Sequence, residues 1–175
     1  MKKRVLSGVQ PSGIAHLGNY FGAMRQHVEF SQNDNYETYF MIADLHALTT
    51  IKDPALRGKL IENLALDYLA LGLDVKKCVF FRQSDVPAHS ELTWIFSCIT
   101  PLGLLERAHA WKDALEKGKK NPSVGLFIYP VLMACDILLY QPDLVPVGKD
   151  QKQHVEIARD IAQKFNNTYE NVFTL

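Results

Sequence analysis

The sequence predicts an α/β fold with a mostly parallel sheet flanked by helices. Short apolar runs suited to strands alternate with longer segments whose apolar residues recur at helical spacing. The run Tyr39-Phe40-Met41-Ile42-Ala43 is continuously apolar, as expected of a central strand covered on both faces. Glycine, proline and short polar clusters punctuate the chain at nearly every change of pattern. In such sheets ligands bind outside the carboxyl ends of the strands, so the residues that follow each strand are the first candidates for a site.

Val5-Leu6 reads as the first strand, followed by a loop broken by Gly8, Pro11, Ser12 and Gly13. A helix begins near Gly18-Asn19 and runs to about Phe30, with Tyr20, Phe21, Met24, Val28 and His27 on its apolar face. After the polar turn 31–35, the strand at Tyr39 ends at Asp44-Leu45-His46. Asp53 is placed to cap the next helix, with Pro54 at its first position and Gly72 as its stop. Cys78-Val79-Phe80-Phe81 is a short buried strand leading to Arg82-Gln83-Ser84. Helices are predicted from Pro87 to Cys98 and from Pro101 to about Leu115, then a basic, mobile loop over 117–122. Val124 to Tyr140 is a long apolar helix, made irregular by Pro130. Leu144-Val145-Pro146-Val147 reads as a fourth strand, and Asp150 caps a last helix to Asn166.

The 175 residues are 47% hydrophobic, enough to bury a core in one domain, 1–175. With 19 basic and 19 acidic residues the chain lacks the global charge of a non-specific nucleic-acid binder, although a local RNA contact is compatible with it. Cys78, Cys98 and Cys135 are widely spaced among apolar neighbours and read as buried, reduced thiols. The apolar stretch after Met1-Lys2-Lys3-Arg4 is too short for a secretory signal, and no run approaches the length of a membrane span. The expected location is the cytoplasm. His46, His89 and His154 do not share metal-ligand spacing, so no protein-bound zinc is expected.

Two stretches carry chemistry on their own residues. A strand, a tight loop and a helix start aim backbone N–H groups and the positive end of a helix at one point, which suits a phosphate. His16 and Asn19 lie where they could reach the same anion, although a purely structural connection explains the loop equally well. The loop has neither a Walker-type Gly-Lys-Ser/Thr nor a Gly-x-Gly-x-x-Gly pattern. In the long apolar helix, Tyr129, Met133 and Asp136 share one face. An aromatic and a methionine there are ordinary core residues. A carboxylate among Cys135 and Ile137-Leu138-Leu139 is costly unless partnered. Asp136 either pairs with a buried arginine, caps a neighbouring element, or receives a polar N–H in an apolar pocket; an indole offers such a donor.

His16-Leu17-Gly18-Asn19 resembles the His-Ile-Gly-His signature of class I aminoacyl-tRNA synthetases, with Asn19 replacing the second histidine. Ser7-Gly8-Val9-Gln10-Pro11-Ser12-Gly13 resembles the start of the tryptophanyl subfamily. The likeness continues through Asp44-Leu45-His46, Gln83 to His89, Tyr129 to Tyr140 and Val145 to His154, in that order. It implies a Rossmann-like nucleotide-binding fold, with ATP and L-tryptophan as substrates and tRNA(Trp) as acceptor. Magnesium would be held chiefly by the ATP phosphates.

By this resemblance Gln10, Pro11, Ser12, Gly18 and Asn19 contact ATP, joined by Gly148, Lys149 and Asp150. His16, Asn19, Gln10 and Lys112 serve the reaction. Asp136 receives the indole N–H beside Met133 and Tyr129. Gln151 meets the amino-acid end, and Ser7, Gly8, Leu6, Ile137, Val145 and Val147 complete the walls. Related tyrosyl enzymes typically carry glutamine where Met133 stands, so methionine favours tryptophan. The subfamily usually has glutamate at the Lys149 position, which confines the resemblance there to the backbone. Around Lys112, Ala108-His109-Ala110-Trp111 departs from the usual pattern.

A Lys-Met-Ser-Lys-Ser loop does not occur in the sequence, and Asn171-Val172-Phe173-Thr174-Leu175 reads as part of a strand. The expectation is therefore a catalytic-domain fragment, impaired in turnover and lacking the anticodon-binding helices. A homodimer is implied, with the helices from Pro87 to Leu105 as its interface. The alternatives are a tyrosyl-tRNA synthetase and a nucleotide-binding paralogue without activity.

Overall fold

The computed structural model describes residues 2–118, 121–148 and 151–175, with the side chain of Ala110 excepted. It divides into two compact units: Met1–Val86 with Pro142–Gly148, and Pro87–Gln141 with Lys149–Leu175.

The first unit is built on three parallel strands, β1 (Lys3–Val9), β2 (Tyr36–Ile42) and β3 (Cys78–Arg82), with β2 in the middle. The register sets Val5 against Thr38 and Gly8 against Met41, then Thr38 against Cys78. Helix α1 (Leu17–Asn19) passes through a π-helical segment (Tyr20–Met24) into α2 (Arg25–Ser31). A single turn, α3 (Asp44–Ala47), follows β2 and leads towards α4 (Pro54–Ala70). The punctuation read around α4 is realised atom by atom. Asp53 Oδ1 accepts the Ala55 and Leu56 amides at 2.9 and 3.3 Å, and Gly72 takes φ +91° beyond the last turn.

The core of this unit gathers Met24, Phe40, Ile42, Leu64, Tyr68, Leu73 and Cys78. His27 lies inside it. Its ring stacks on Phe40 at 4.7 Å between centroids, and Nδ1 is 2.7 Å from the Tyr68 hydroxyl. Burial lowers the His27 pKa to about 4, so the ring is neutral at physiological pH. Burial raises the Tyr68 phenol as well.

Leu144–Val147 does not form the expected fourth strand. It joins β1 through one parallel bridge, Val5 with Leu144, closed by Leu6 N–H to Leu144 O at 3.1 Å and Leu144 N–H to Arg4 O at 3.1 Å. Pro146 has no N–H to extend the ladder, and its carbonyl accepts the Ser7 hydroxyl instead. Phe21, expected on the buried helix face, is 64% exposed. The π-helical segment adds a residue to the turn, which rotates Phe21 off the stripe while Met24 and His27 stay buried.

The second unit holds α5 (Ala88–Ile99), α6 (Leu102–Glu106), α7 (His109–Glu116), α8 (Val124–Leu138) and α9 (Lys152–Thr168). Ser123 caps α8, and Pro130 sits within it. Phe96 and Phe165 meet edge-to-face at 5.8 Å between α5 and α9, and Trp111 meets Phe127 at 4.7 Å between α7 and α8.

The single helix expected from Pro101 to Leu115 is two helices. Ala108 adopts extended backbone, and the Gln153 side chain fills the break. Its Oε1 accepts the His109 amide at 2.8 Å, and its Nε2 donates to Arg107 O at 3.3 Å. The segment 171–175 forms no strand. Asn166 holds it to α9 instead, with Oδ1 accepting the Val172 and Phe173 amides and Nδ2 donating to Phe173 O. Cys98 is exposed rather than buried, on a face of α5 that also exposes Trp94 and Ile95; Cys78 and Cys135 are buried free thiols. No helix among the described residues is long and apolar enough to cross a membrane.

Candidate functional site

In the first unit the opening stretch converts strand into helix within a few residues. Pro11 is buried, while Ser12, Gly13 and Ile14 are exposed. The Ser12 amide closes a tight turn on Gln10 O at 2.9 Å, and the Gln10 side chain reaches Thr50 Oγ1 at 3.3 Å. His16 caps the helix in both directions. Its Nδ1 accepts the Gly18 amide at 3.0 Å, and its own amide donates to Asn19 Oδ1 at 3.0 Å. This is a capping box made by a histidine and an asparagine.

Two consequences follow from this box. An imidazole nitrogen that accepts a hydrogen bond carries no proton, so the neutral ring of His16 has its proton on Nε2, the side turned away from the cap. The glycine at 18 is also a steric requirement: a Cβ there would lie 2.8 Å from His16 Cε1 and 2.9 Å from Nδ1. His16, Gly18 and Asn19 are thus one built element at an exposed helix start: their three backbone amides are taken up within the cap, and the His16 ring Nε2–H and the Asn19 side-chain amide are its N–H donors that have no part in it.

The other strand ends of this unit are braced. Asp44 Oδ1 accepts the Ser84 amide at 2.9 Å, and Gln83 Oε1 accepts the Leu45 amide at 3.1 Å, so the loops after β2 and β3 hold each other. Ser7 is buried on β1 and donates to Pro146 O at 3.0 Å, which fixes the 143–148 segment that carries Val145, Val147 and Gly148. Gly8 faces Met41 so closely that a Cβ would lie 3.1 Å from Met41 Cε and 3.4 Å from its carbonyl oxygen. Gly148 is exposed. Lys149 and Asp150 lie outside the described residues, and with them the capping role read for Asp150. Gln151 occupies the position before α9 without a side-chain cap bond.

In the second unit, α8 presents Tyr129, Met133 and Asp136 from its middle and last turns. The Tyr129 hydroxyl lies 2.7 Å from His154 Nε2. Burial, with a contribution from the Asp113 charge, pushes the Tyr129 pKa up to about 12, so it stays a phenol. Asp136 is only 3% exposed. Its Oδ1 lies 2.7 Å from Nδ1 of His89, a fully buried residue of α5, whose Nε2 is 3.0 Å from the Tyr140 hydroxyl. Cys135 donates its S–H to the His89 carbonyl at 3.1 Å, and burial first of all pushes that thiol up to about 12.

The buried acid thus has a histidine partner, which the sequence reading of a buried arginine, a helix cap or a ligand N–H did not name. His89 was passed over because nothing local marks it: 47 residues separate it from Asp136. A buried carboxylate that needed a partner was the signal that could have found it. Lys112 is exposed on α7, and Ile137 is buried beside Asp136. Among the described residues, no three histidine, cysteine, aspartate or glutamate side chains cluster to hold a metal ion.

A parallel sheet, a glycine-containing strand-to-helix turn at the end of β1 and braced loops at the ends of β2 and β3 define a protein of Rossmann-like fold. The family described as tRNA synthetases class I (W and Y) matches residues 1–175, and the chain belongs to it. The tryptophan–tRNA ligase of Fusobacterium nucleatum is 56% identical over 167 residues, covering 95% of this chain and 50% of the relative. The crystal structure of tryptophanyl-tRNA synthetase from Campylobacter jejuni superposes with a TM-score of 0.93 at 51% identity, covering 100% of this chain and 54% of that one. The same enzyme complexed with ADP and tryptophan superposes with a TM-score of 0.91 at 52% identity, covering 98% and 53%. The chain spans about half the length of the relatives it matches.

Proposed function

We propose that the protein activates L-tryptophan with ATP, forming tryptophanyl-adenylate and pyrophosphate, and transfers the aminoacyl group to tRNA(Trp). The observation that carries this reading is Asp136, a buried carboxylate on an apolar helix with Met133 on the same face. An acceptor-only group in apolar walls suits a ligand that is apolar except for one N–H donor. Tyrosine, which offers a hydroxyl instead, would favour a polar group in place of Met133. The relatives named above, one of them holding ADP and tryptophan, support the same reading.

The chemistry asks for positioning rather than a covalent intermediate. A tryptophan carboxylate oxygen attacks the α-phosphorus of ATP as the bond to pyrophosphate breaks. The negative charge that builds on the leaving group needs donors fixed in advance. Nε2–H of His16, the start of its helix, Gln10 and Asn19 supply neutral donors for it. Pro11, Ser12 and Gly18 shape the nucleotide side, with Gly148, Lys149 and Asp150 toward the ribose. Gln151 and Tyr129 serve the amino-acid end, and Ser7, Gly8, Ile137, Val145 and Val147 line it. Lys112 approaches the phosphates. Magnesium would be held chiefly by the ATP phosphates, where it would offset their charge.

The protein works in the cytoplasm as a homodimer, for which exposed Trp94, Ile95 and Leu102 supply an apolar face. The test is tryptophan-dependent exchange of pyrophosphate into ATP by the longest natural form of the protein. Exchange with tryptophan and little with tyrosine is expected; exchange driven by tyrosine, or by neither amino acid, overturns the reading.

A further inference from the structure

His89 lies outside every set of residues so far given a part in binding, yet it is fully buried and touches the group on which tryptophan recognition is proposed to rest. We infer that His89 is the positioning residue of amino-acid selection: it donates its Nδ1 proton to Asp136, so that the carboxylate is held ionised, in one rotamer, as an acceptor for the substrate N–H. The inference rests on the tryptophan reading of the preceding subsection.

The polarity of the chain Tyr140–His89–Asp136 follows from the chemistry of its members. An ionised carboxylate only accepts hydrogen bonds, so at 2.7 Å from Asp136 Oδ1 the His89 Nδ1 bears the proton. In a neutral ring Nε2 then accepts, and the Tyr140 hydroxyl 3.0 Å away is the donor that suits it. The Tyr140 hydroxyl thereby selects the Nδ1–H tautomer that Asp136 needs. The backbone of His89 is fixed from the other side, because the Cys135 thiol donates to its carbonyl at 3.1 Å. Adjacent residues of α8, Cys135 and Asp136, thus grip the main chain and side chain of one residue of α5.

A carboxylate has room for about four hydrogen bonds, so a bond to His89 does not by itself exhaust its capacity to accept from a ligand. Without that donor, a carboxylate this deeply buried would take up a proton or swing toward solvent. Either outcome blunts its preference for an N–H donor. A merely structural histidine would affect stability and leave the choice between ligands alone.

The experiment compares binding of L-tryptophan with that of the analogue whose indole N–H is replaced by sulfur, 3-benzothienyl-L-alanine, using the longest natural form of the protein. In His89→Leu the preference for tryptophan should fall about tenfold or more, the scale of a lost hydrogen bond to a charged group. In His89→Asn, whose amide N–H can occupy the place of Nδ1–H, most of the preference should return. Nitrogen-15 NMR of the histidine rings in the unmutated protein gives a readout that no folding defect can obscure: His89 should carry its proton on Nδ1. A proton on Nε2 alone, or a preference unchanged in folded His89→Leu, overturns the inference. Asp136→Asn separates the two levels of the argument. If it leaves the preference intact, the tryptophan reading itself fails. If it abolishes the preference while His89→Leu does not, only the role of His89 fails.

Discussion

The imidazole of His16 lies against Gly18, with Nδ1 accepting the Gly18 amide at 3.0 Å. This contact ties two members of the His16-Leu17-Gly18-Asn19 stretch into one object, because a side chain at 18 would occupy the space of the ring. Gly18→Ala should therefore displace His16 and open the capping box at a cost of about 1 kcal/mol in stability. Tryptophan-dependent pyrophosphate exchange should fall much further, by about two orders of magnitude, the scale seen when one fixed donor to a developing charge is lost. Thermal melts and exchange rates measured on the same preparation check both halves. A variant that exchanges normally would show that His16 need not sit over its own helix start.

His27 makes a second, pH-dependent prediction. Its pKa is lowered from 6.5 to about 4 in the folded protein by burial. Above pH 6.5 the ring is neutral in both states, and His27 adds no pH dependence. Between pH 6.5 and 4 the unfolded chain binds a proton that the folded one does not, so stability falls as the pH drops; below 4 the loss levels off. From pH 7 to 4.5 the protein should lose about 2 kcal/mol that His27→Gln does not lose. Denaturant titrations at the two pH values check this, and parallel losses in both proteins would count against it.

Gln153 supplies the third. It bonds the last carbonyl before the break at Ala108 and the first amide after it. Gln153→Leu should leave both groups without that partner, costing about 1–2 kcal/mol. Hydrogen exchange at the His109 amide should quicken more than at α8 amides such as Val131. Uniform quickening through α7 and α8 would mean that the side chain does no more than fill space.

Gln153 also shows where sequence reading stops. The helix start at Asp53-Pro54 and its stop at Gly72 were legible because each signal lies within a turn of its effect. The middle strand was legible because its buried Phe40, Met41 and Ile42 leave a continuous apolar run; Cys78–Phe81 read as equally buried, but β3 lies at the edge of the sheet and Val79 is 47% exposed. The break at Ala108 was not, since Arg107-Ala108-His109 contains no helix breaker and the group that stabilises the break lies 44 residues away. Leu144–Val147 carried a strand's composition, but Pro146 removed a donor and Ser7 claimed its carbonyl. In the candidate site, the acid was legible as an anomaly at Asp136. Its partner was not, because the pairing of α5 with α8 depends on tertiary packing that no local pattern encodes.

The last prediction concerns the choice of amino acid. Met133 and Asp136 are one turn apart on α8, so a side chain at 133 can reach a ligand bonded at 136. A methionine offers no strong partner to a phenol, and a buried hydroxyl left unpaired is disfavoured. Met133→Gln brings an amide that can both donate and accept, which should raise tyrosine-dependent exchange relative to tryptophan by about tenfold or more. Asp136→Asn works from the other side. Its amide can still accept from an indole but without a charge, and its N–H₂ end faces His89 Nδ1–H unless the tautomer switches. Tryptophan-dependent exchange should drop by about one to two orders of magnitude, consistent with losing a charged hydrogen bond. The two substitutions act on different atoms of the ligand but stand close together, so their effects should not simply add. Measuring kcat/KM for tryptophan and tyrosine in both single variants and the double variant resolves the coupling. A purely additive result, with no gain for tyrosine in Met133→Gln, would place Met133 outside the recognition surface and leave Asp136 to act alone.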